Sequence, residues 1–303
     1  MHLLSEYTRF GLGGPADAFF ESADAAVFVE ALRGVEGPHI VLGGGTNLVV
    51  ADEGFRGTVL RYLGHEISHN GTTVTAQSGA DLEAVVLYAI EHSLAGMESM
   101  MRIPGWVSGA IYGNAGAYGQ SIHEVVSRVE IWDGETCRWI SNAECGFTYR
   151  SSSFKTNKHW IVLTAEFALR LGDRPSLTAR AEEIRATRDA KFPPSMKCAG
   201  SIFKNCFLAN LPESAQARVP ANLVREGKVP SAYFLEQVGA KGVSLGGIRV
   251  ADYHANLIYN AGGGTASEVV AIVDDLRARV EREFEFTLEP EVQFIGFPDR
   301  KSY

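Results

Sequence analysis

The sequence predicts a mixed α+β or α/β protein of two or three domains. Three observations carry this. The chain has 303 residues, and domains run to roughly 100–200 residues each. Its 46% hydrophobic and 21% charged residues are ordinary for a packed chain, which excludes disorder and collagen-like repeats. Helical and strand periodicities alternate at both ends around a strand-rich middle, with no internal repeat and no pattern of a single large barrel.

The elements follow in order. Residues 24–32 place Phe28, Val29 and Leu32 on one helical face, and Gly34 stops the helix. Residues 39–42 read as a short strand that runs straight into Gly43, Gly44 and Gly45. Strands are expected again at 58–63 and 72–77. Asp81 caps a helix with Leu82, Val85, Val86, Ala89 and Ile90 inward, ended at Gly96. Residues 126–132 and 160–171 are β-branched and aromatic in bias, hence strands. Residues 178–190, rich in Ala, Glu and Arg, form a helix that Pro193 and Pro194 must end, and a domain boundary is expected there. Thr265 and Glu268 make a capping box ahead of the stripe Val269, Ile272, Val273, Leu276, Val280 and Phe284. A strand at 292–297 closes the chain.

Charge and cysteine usage narrow the partners. The formal net charge is −8, and no basic face of the kind that wraps a nucleic acid is evident. No apolar run approaches the ~18–20 residues that span a bilayer. Met1 to Phe10 has no long apolar core, so it does not read as a signal peptide. Cys137, Cys145, Cys198 and Cys206 contain no C-x-x-C pair and fit free thiols of a cytoplasmic protein. The His and Cys residues show no metal-ligand spacing, so no metal is expected.

Five segments can carry chemistry, each against a plainer reading. Gly43, Gly44, Gly45, Thr46 and Asn47 let backbone N–H groups converge on an anion such as a diphosphate, and a tight surface turn explains them equally. Neither G-x-G-x-x-G nor the Walker pattern is present. Ile103 to Gly119 is dominated by small residues that can lie flat against a planar ligand or simply pack closely. Arg150 offers a planar, permanently charged donor fork, or an ordinary surface ion pair. Ser201, between Gly200 and the apolar Ile202 and Phe203, can sit in a partly dry site or bond to its own turn. Glu289 and Glu291 flank Pro290 and point to one side by alternation, unless the proline twists them apart. No G-x-S-x-G elbow supports a hydrolase triad.

In this order, the segments resemble the UDP-N-acetylenolpyruvoylglucosamine reductase family, flavoprotein reductases of bacterial peptidoglycan precursor synthesis. The resemblance runs essentially end to end. Thr8 to Ala16 is similar to the family's N-terminal T-F-x-x-G-G-x-A, and Gly43 to Asn47 to its first flavin loop. Ile103 to Gly119 is similar to its long I-P-G…N-x-G-A-Y-G flavin segment. Tyr149-Arg150…Phe154-Lys155, Gly200-Ser201…Lys204-Asn205 and Leu288-Glu289-Pro290-Glu291-Val292 resemble its three catalytic motifs.

The resemblance implies an α+β fold. A two-part FAD-binding scaffold of the vanillyl-alcohol-oxidase type is expected at 1–65 and 66–175. A C-terminal α+β substrate-binding domain is expected at 176–303, with a last strand that can return to the FAD part. FAD would be bound non-covalently through Gly43, Gly44, Gly45, Thr46, Asn47, Pro104, Gly105, Ser108, Gly109, Asn114, Gly116, Ala117 and Tyr118. NADPH would reduce it and leave, and the enolpyruvyl UDP-sugar would then enter the same cleft. Hydride would pass from flavin N5 to the enol-ether β-carbon. Arg150 and Glu291, rather than Glu289, match the groups that stabilise charge at the substrate carboxylate. Ser201 matches the proton donor to carbon, and Gly200 would keep side-chain bulk away from that hydroxyl. Lys191, Asn205, Lys241 and His254 match substrate contacts. The partners are then a UDP-sugar and NADPH, with no nucleic acid or membrane, and the protein is a cytoplasmic monomer.

Some residues depart from the family's pattern. Trp106 and Ser108 stand where smaller residues and Gly are usual, Cys206 replaces a Pro, and Gln293 replaces a basic residue. The short 155–191 stretch matches the family's shorter branch, so no lid Tyr is assigned. An oxygen-using alcohol or sugar oxidase on the same scaffold is the runner-up. Many such enzymes tether flavin through a His, and neither flavin segment contains one. A non-catalytic flavin or nucleotide-sugar binding module is a third reading. It leaves the joint presence of Arg150, Ser201 and Glu291 unexplained.

Overall fold

The structure is a computed structural model, and it describes residues 2–298. The chain divides into two compact units. A central unit is built from Asp17–Gly45 and Gly57–Pro194. A C-terminal unit is built from the N-terminal segment as far as Ala16, from Thr46–Arg56 and from the chain beyond Ser195.

The central unit is organised on a five-stranded antiparallel sheet, in the order Cys137–Ser141, Val126–Trp132, Ile161–Ala168, Thr73–Gln77, Ile67–Asn70. Its apolar residues, such as Val129, Ile131, Ala165 and Val74, join one core with the helix Leu82–Glu91. That helix buries the expected five residues, and the Asp81 carboxylate accepts from the backbone N–H groups of Glu83 and Ala84. It ends earlier than Gly96, because Leu94–Ala95 pairs as a strand with Arg170–Leu171. The expected strand at 160–171 is accordingly two strands, Ile161–Ala168 and Arg170–Leu171. A separate sheet orders Ala16–Ser22, Phe55–Tyr62 and His39–Val41, the last two parallel. The helix Ala25–Gly34 packs Phe28 and Val29 with Leu60 and Tyr62. The helix Arg174–Lys191 begins four residues before the expected one. Asp173 caps it by accepting from Ser176 N–H, and Pro175 fits its first turn, where the missing N–H costs nothing.

The C-terminal unit holds a four-stranded antiparallel sheet in the order Lys197–Ser201, His254–Asn260, Ile248–Ala251, Ser244–Leu245. The helix Ala266–Phe284 buries the whole expected stripe, and both halves of the Thr265–Glu268 capping box form. Asp52 reinforces that helix start. Its carboxylate accepts from Ala266 N (2.7 Å), Ser267 N (2.9 Å) and Ser267 Oγ (2.7 Å). Partial burial pushes the carboxyl pKa up, but these hydrogen bonds outweigh it and hold it below its ordinary value. The last strand is shorter than expected, Gln293–Ile295, and it pairs in parallel with Leu48–Val50. Phe10 and Leu12 of the N-terminal segment enter the same core as Val49, Phe203 and Phe294. Among the described residues, no helix is long and apolar enough to cross a membrane.

Candidate active site

In the central unit the two glycine-rich segments converge. Leu42 N–H donates to Leu60 O at the end of the strand, and the chain then turns into Gly43–Gly45. A Cβ on Gly44 would stand 3.0 Å from Gly105 Cα and 3.2 Å from Trp106 N, and one on Gly43 would stand 3.0 Å from Ser108 Oγ. Side chains at 43 and 44 would therefore push the two segments apart. Beyond this contact, the short helix Val107–Gly113 presents Gly109 and Gly113 to open space, where a Cβ meets nothing within 4 Å. Closely packed backbone beside a bare glycine face suits a flat dinucleotide, and the residues fit FAD on this ground. Trp106 fills one side of the contact. Its ring lies against Gly44, with the Arg61 guanidinium 4.6 Å from the ring centroid.

Arg150 stands at the tip of a tight turn in which Thr148 and Ser151 exchange backbone hydrogen bonds (3.0 and 3.1 Å). Its φ of +54° lies in the left-handed region, a conformation an Arg adopts only when its surroundings enforce it. Three bonds tie this turn to the second glycine-rich segment: Asn114 Nδ2 to Thr148 O (2.8 Å), Ser152 Oγ to Tyr112 O (2.7 Å) and Arg150 Nη2 to Gly116 O (2.9 Å). Lys155 Nζ donates to Arg150 O (2.9 Å). Asn114 is nearly fully buried, and its Oδ1 also accepts from His123 N. Its side chain thus braces the segment from inside. Gly116 starts a small hairpin in which a Cβ would collide with Gln120 O at 2.6 Å. Tyr118, two residues on, is exposed.

In the C-terminal unit, Ser201 ends a strand that carries a bulge. Lys197 and Cys198 pair with Asn260 and Tyr259, the register then shifts, and Ser201 faces Leu257. A bulge re-aims the side chain that follows it. Gly200 supplies it with a φ of +77°. Apart from the adjoining residues 199 and 201, a Cβ there would meet nothing within 4 Å, and the position needs glycine for its backbone angle.

Ser201 and Glu291 are joined through backbone. Glu291 N donates to Ile202 O (2.7 Å), and Lys204 N donates to Glu289 O (3.0 Å), with Phe203 opposite Pro290. Asn47 Nδ2 donates to Glu291 O (3.1 Å), and Gln293 N donates to Asn47 O (3.0 Å). The two carboxylates of the Glu-Pro-Glu run have different surroundings. Glu289 is exposed and pairs with Lys204, whereas Glu291 is half-buried.

The remaining expected residues are scattered over their units. Asn205 Oδ1 accepts from Ser231 N (3.4 Å), and His254 Nδ1 accepts from Asn256 N (3.2 Å). Lys241 pairs with Glu236 (2.9 Å) at the surface. Lys191 ends its helix with its ammonium 5.1 Å from the Phe192 ring centroid. Desolvation, and then the charge of Arg188, hold its pKa below the usual lysine value. Burial, and then Glu289, push the Cys206 thiol up to about 12. Asn256 and Ser231, which no sequence pattern singles out, turn out to surround the Ser201 motif.

Fold and segments together define a flavin-dependent enzyme: residues 21–139 match the family model for an FAD binding domain. Residues 192–295 match the model for the C-terminal domain of UDP-N-acetylenolpyruvoylglucosamine reductase. The chain is 51% identical to the UDP-N-acetylenolpyruvoylglucosamine reductase of Solibacter usitatus, over 97% of this chain and 95% of that one. It is 35% identical to the enzyme of the same name from Carboxydothermus hydrogenoformans, over 97% and 92%. The crystal structure of the reductase from Thermus caldophilus superposes with a TM-score of 0.76 at 28% identity, covering 97% of both chains. The chain belongs to the UDP-N-acetylenolpyruvoylglucosamine reductase family.

Proposed function

We propose that this chain is the NADPH-dependent flavoenzyme that reduces the enolpyruvyl group of UDP-N-acetylglucosamine enolpyruvate to give UDP-N-acetylmuramate, in peptidoglycan precursor synthesis. The observation that carries the reading is the backbone link between the Ser201 and Glu291 segments, inside the stretch that matches the reductase C-terminal domain. FAD, when bound, supplies the hydride. The chain's own groups handle the charge and the proton. Hydride addition to the β-carbon pushes negative charge toward the substrate carboxylate, where Arg150 and Glu291 act. Ser201 delivers the proton to the α-carbon, a step open to so weak an acid only because that carbon is very basic. Gly43, Gly44, Gly45, Thr46, Asn47 and the 104–118 residues hold the flavin. Lys191, Asn205, Lys241 and His254 serve the UDP-sugar.

The functional division proposed is 1–65 and 66–175 for flavin and 176–303 for substrate. The compact units follow another line, since residues 2–16 and Thr46–Arg56 pack with the C-terminal part. The four cysteines are free thiols, consistent with the proposed cytoplasmic location.

The test is spectroscopic. Purified protein should be yellow, release FAD on denaturation, bleach with NADPH under anaerobic conditions and recover its colour when the enolpyruvyl substrate is added. Ser201→Ala should keep the first three properties and reoxidise roughly 10²–10⁴-fold more slowly, and Ser201→Cys should recover part of the rate. A Ser201→Ala protein that reoxidises at the wild-type rate would remove Ser201 as the acid.

A further inference from the structure

We propose that Asn256 is a positioning residue for the reduction: its buried carboxamide fixes the Ser201 and Glu291 segments in register. The inference rests on the proposed roles of those two residues.

Asn256 lies in the strand His254–Asn260, beside the Ser201 strand, and is 3% exposed. Its backbone O accepts from Ile202 N (3.1 Å). Its side chain then takes over where the sheet ladder stops. Oδ1 accepts from Phe203 N (2.9 Å), and Nδ2 donates to Phe203 O (2.8 Å) and to Ser231 Oγ (2.7 Å). Ser231 is fully buried, its hydroxyl donates to Phe203 O (3.3 Å), and its N–H donates to Asn205 Oδ1 (3.4 Å).

One amide therefore satisfies both backbone groups of a single residue, Phe203, which is itself 1% exposed. The neighbours of Phe203 are the residues that grip the Glu-Pro-Glu run: Ile202 through its O and Lys204 through its N. Asn256 holds the middle of a three-residue bridge whose two ends set the spacing of Ser201 against Glu291. Only an amide can do this. It offers one acceptor to Phe203 N and two hydrogens, one for Phe203 O and one for Ser231 Oγ. A carboxylate of the same shape would face Phe203 O with no hydrogen, and an alanine would leave Phe203 N buried without a partner and Phe203 O with the longer Ser231 bond alone. Asn256 is placed to act through Ser201 and Glu291. Misplacing a reacting group by about 1 Å can cost on the order of 10²-fold in rate.

The experiment measures both half-reactions of the flavin-loaded protein by rapid mixing, for Asn256→Ala, Asn256→Asp, Ser231→Ala, Ser201→Ala and the Ser201→Ala/Asn256→Ala double variant. FAD content and melting temperature are recorded beside the rates. Expected for both Asn256 variants are full FAD content, NADPH-driven bleaching within about threefold of wild type, and reoxidation slowed by roughly 10–100-fold with little change in substrate affinity. Ser231→Ala, which deletes one hydroxyl, should show the same split at a smaller size. The double variant should be slower than Ser201→Ala by clearly less than the factor that Asn256→Ala costs on its own, because the Ser201 share of the positioning is already lost and only the Glu291 share remains. A purely structural Asn256 would slow both half-reactions alike or add its full effect to that of Ser201→Ala, and either result overturns the proposal. If the Asn256 variants do not fold, Ser231→Ala decides: wild-type reoxidation in a folded Ser231→Ala protein overturns it. Wild-type reoxidation by Ser201→Ala would instead refute the reading of Ser201 itself, whatever Asn256 does.

Discussion

Replacing Gly200 with alanine isolates a backbone effect next to the expected proton donor. Apart from the adjoining residues 199 and 201, the new methyl group would meet nothing within 4 Å, so crowding by the surrounding fold contributes nothing. The backbone angle does contribute, because φ at this position is +77°. An L-residue in the left-handed region costs about 1–2 kcal/mol. Alanine also restricts the unfolded chain, which offsets about 0.4–1 kcal/mol. The net is a loss of about 1 kcal/mol, which lowers Tm by roughly 2–4 °C. Gly14→Ala is the contrast within the same unit, since its Cβ would lie 2.1 Å from Asp52 O and 2.6 Å from Gly54 N. That variant should melt far lower or fail to fold. Gly200→Asn, whose side chain tolerates the left-handed region, should melt near wild type. Relaxation of the angle in Gly200→Ala turns the following residue, so reoxidation by substrate should slow by roughly tenfold or more, with bleaching by NADPH preserved. Calorimetry and rapid mixing read the two effects separately. A Gly200→Ala protein as unstable as Gly14→Ala would mean the site is crowded, and one unchanged in both stability and reoxidation would mean the angle does not matter; either refutes the reasoning.

Arg150→Ala and Glu291→Ala should keep FAD and bleach with NADPH at near wild-type rates, yet reoxidise on substrate at least tenfold more slowly, because charge develops at the carboxylate only in that step; single-turnover absorbance checks it. Asp52→Ala removes three hydrogen bonds from the start of the helix Ala266–Phe284 and should cost about 1 kcal/mol, read by chemical denaturation. Because the folded Asp52 carboxyl is held below its ordinary value of 3.8, its contribution is complete above that value and is lost as pH falls through the lower folded pKa. The wild type and Asp52→Ala should therefore converge in stability in acid and differ at pH 7. Iodoacetamide at pH 8 should label the exposed Cys137 well before Cys145 or Cys206, whose thiols stand at about 12 and hold almost no thiolate; peptide mapping reads the order.

What the sequence made legible was periodic or punctuated. The helix Leu82–Glu91 and the helix Ala266–Phe284 bury the residues their stripes mark, because each carries a cap residue and a full apolar face. Periodicity marks only the Ala- and Arg-rich stretch of the helix Arg174–Lys191, whereas its start lies in Asp-Arg-Pro, a cap signal with no apolar pattern. The sheet of the C-terminal unit left almost no pattern. Lys197–Ser201 interrupts its own alternation with Gly200, and His254–Asn260 carries polar residues at His254, Asn256 and Asn260. These polar side chains serve hydrogen bonds inside the unit rather than a solvent face, so period-two reading cannot find them. The expected site residues were legible as motifs, while the groups that brace them were not. Asn114, Ser152, Ser231 and Asn256 lie up to 53 residues from the backbone they hold, a separation that only the fold closes.

The bracing also explains how a Glu-Pro-Glu run yields two carboxylates with different surroundings. Phe203 and Pro290 form a non-hydrogen-bonded antiparallel pair, in which the bonds fall to the residues on either side, Glu289 O with Lys204 N and Glu291 N with Ile202 O, so the proline's missing N–H costs nothing there. The contact is a single bridge, and the regular strand begins only at Gln293. At one end of the bridge, Lys204 draws Glu289 into an ion pair. At the other, the backbone of Glu291 is held on both sides, its N by Ile202 O and its O by Asn47 Nδ2, which helps orient the half-buried carboxylate. Ser201 is treated in the same way, through the Gly200 bulge before it and the Asn256 amide two residues after it. In both cases main-chain hydrogen bonds set the position of a residue proposed to act on the substrate.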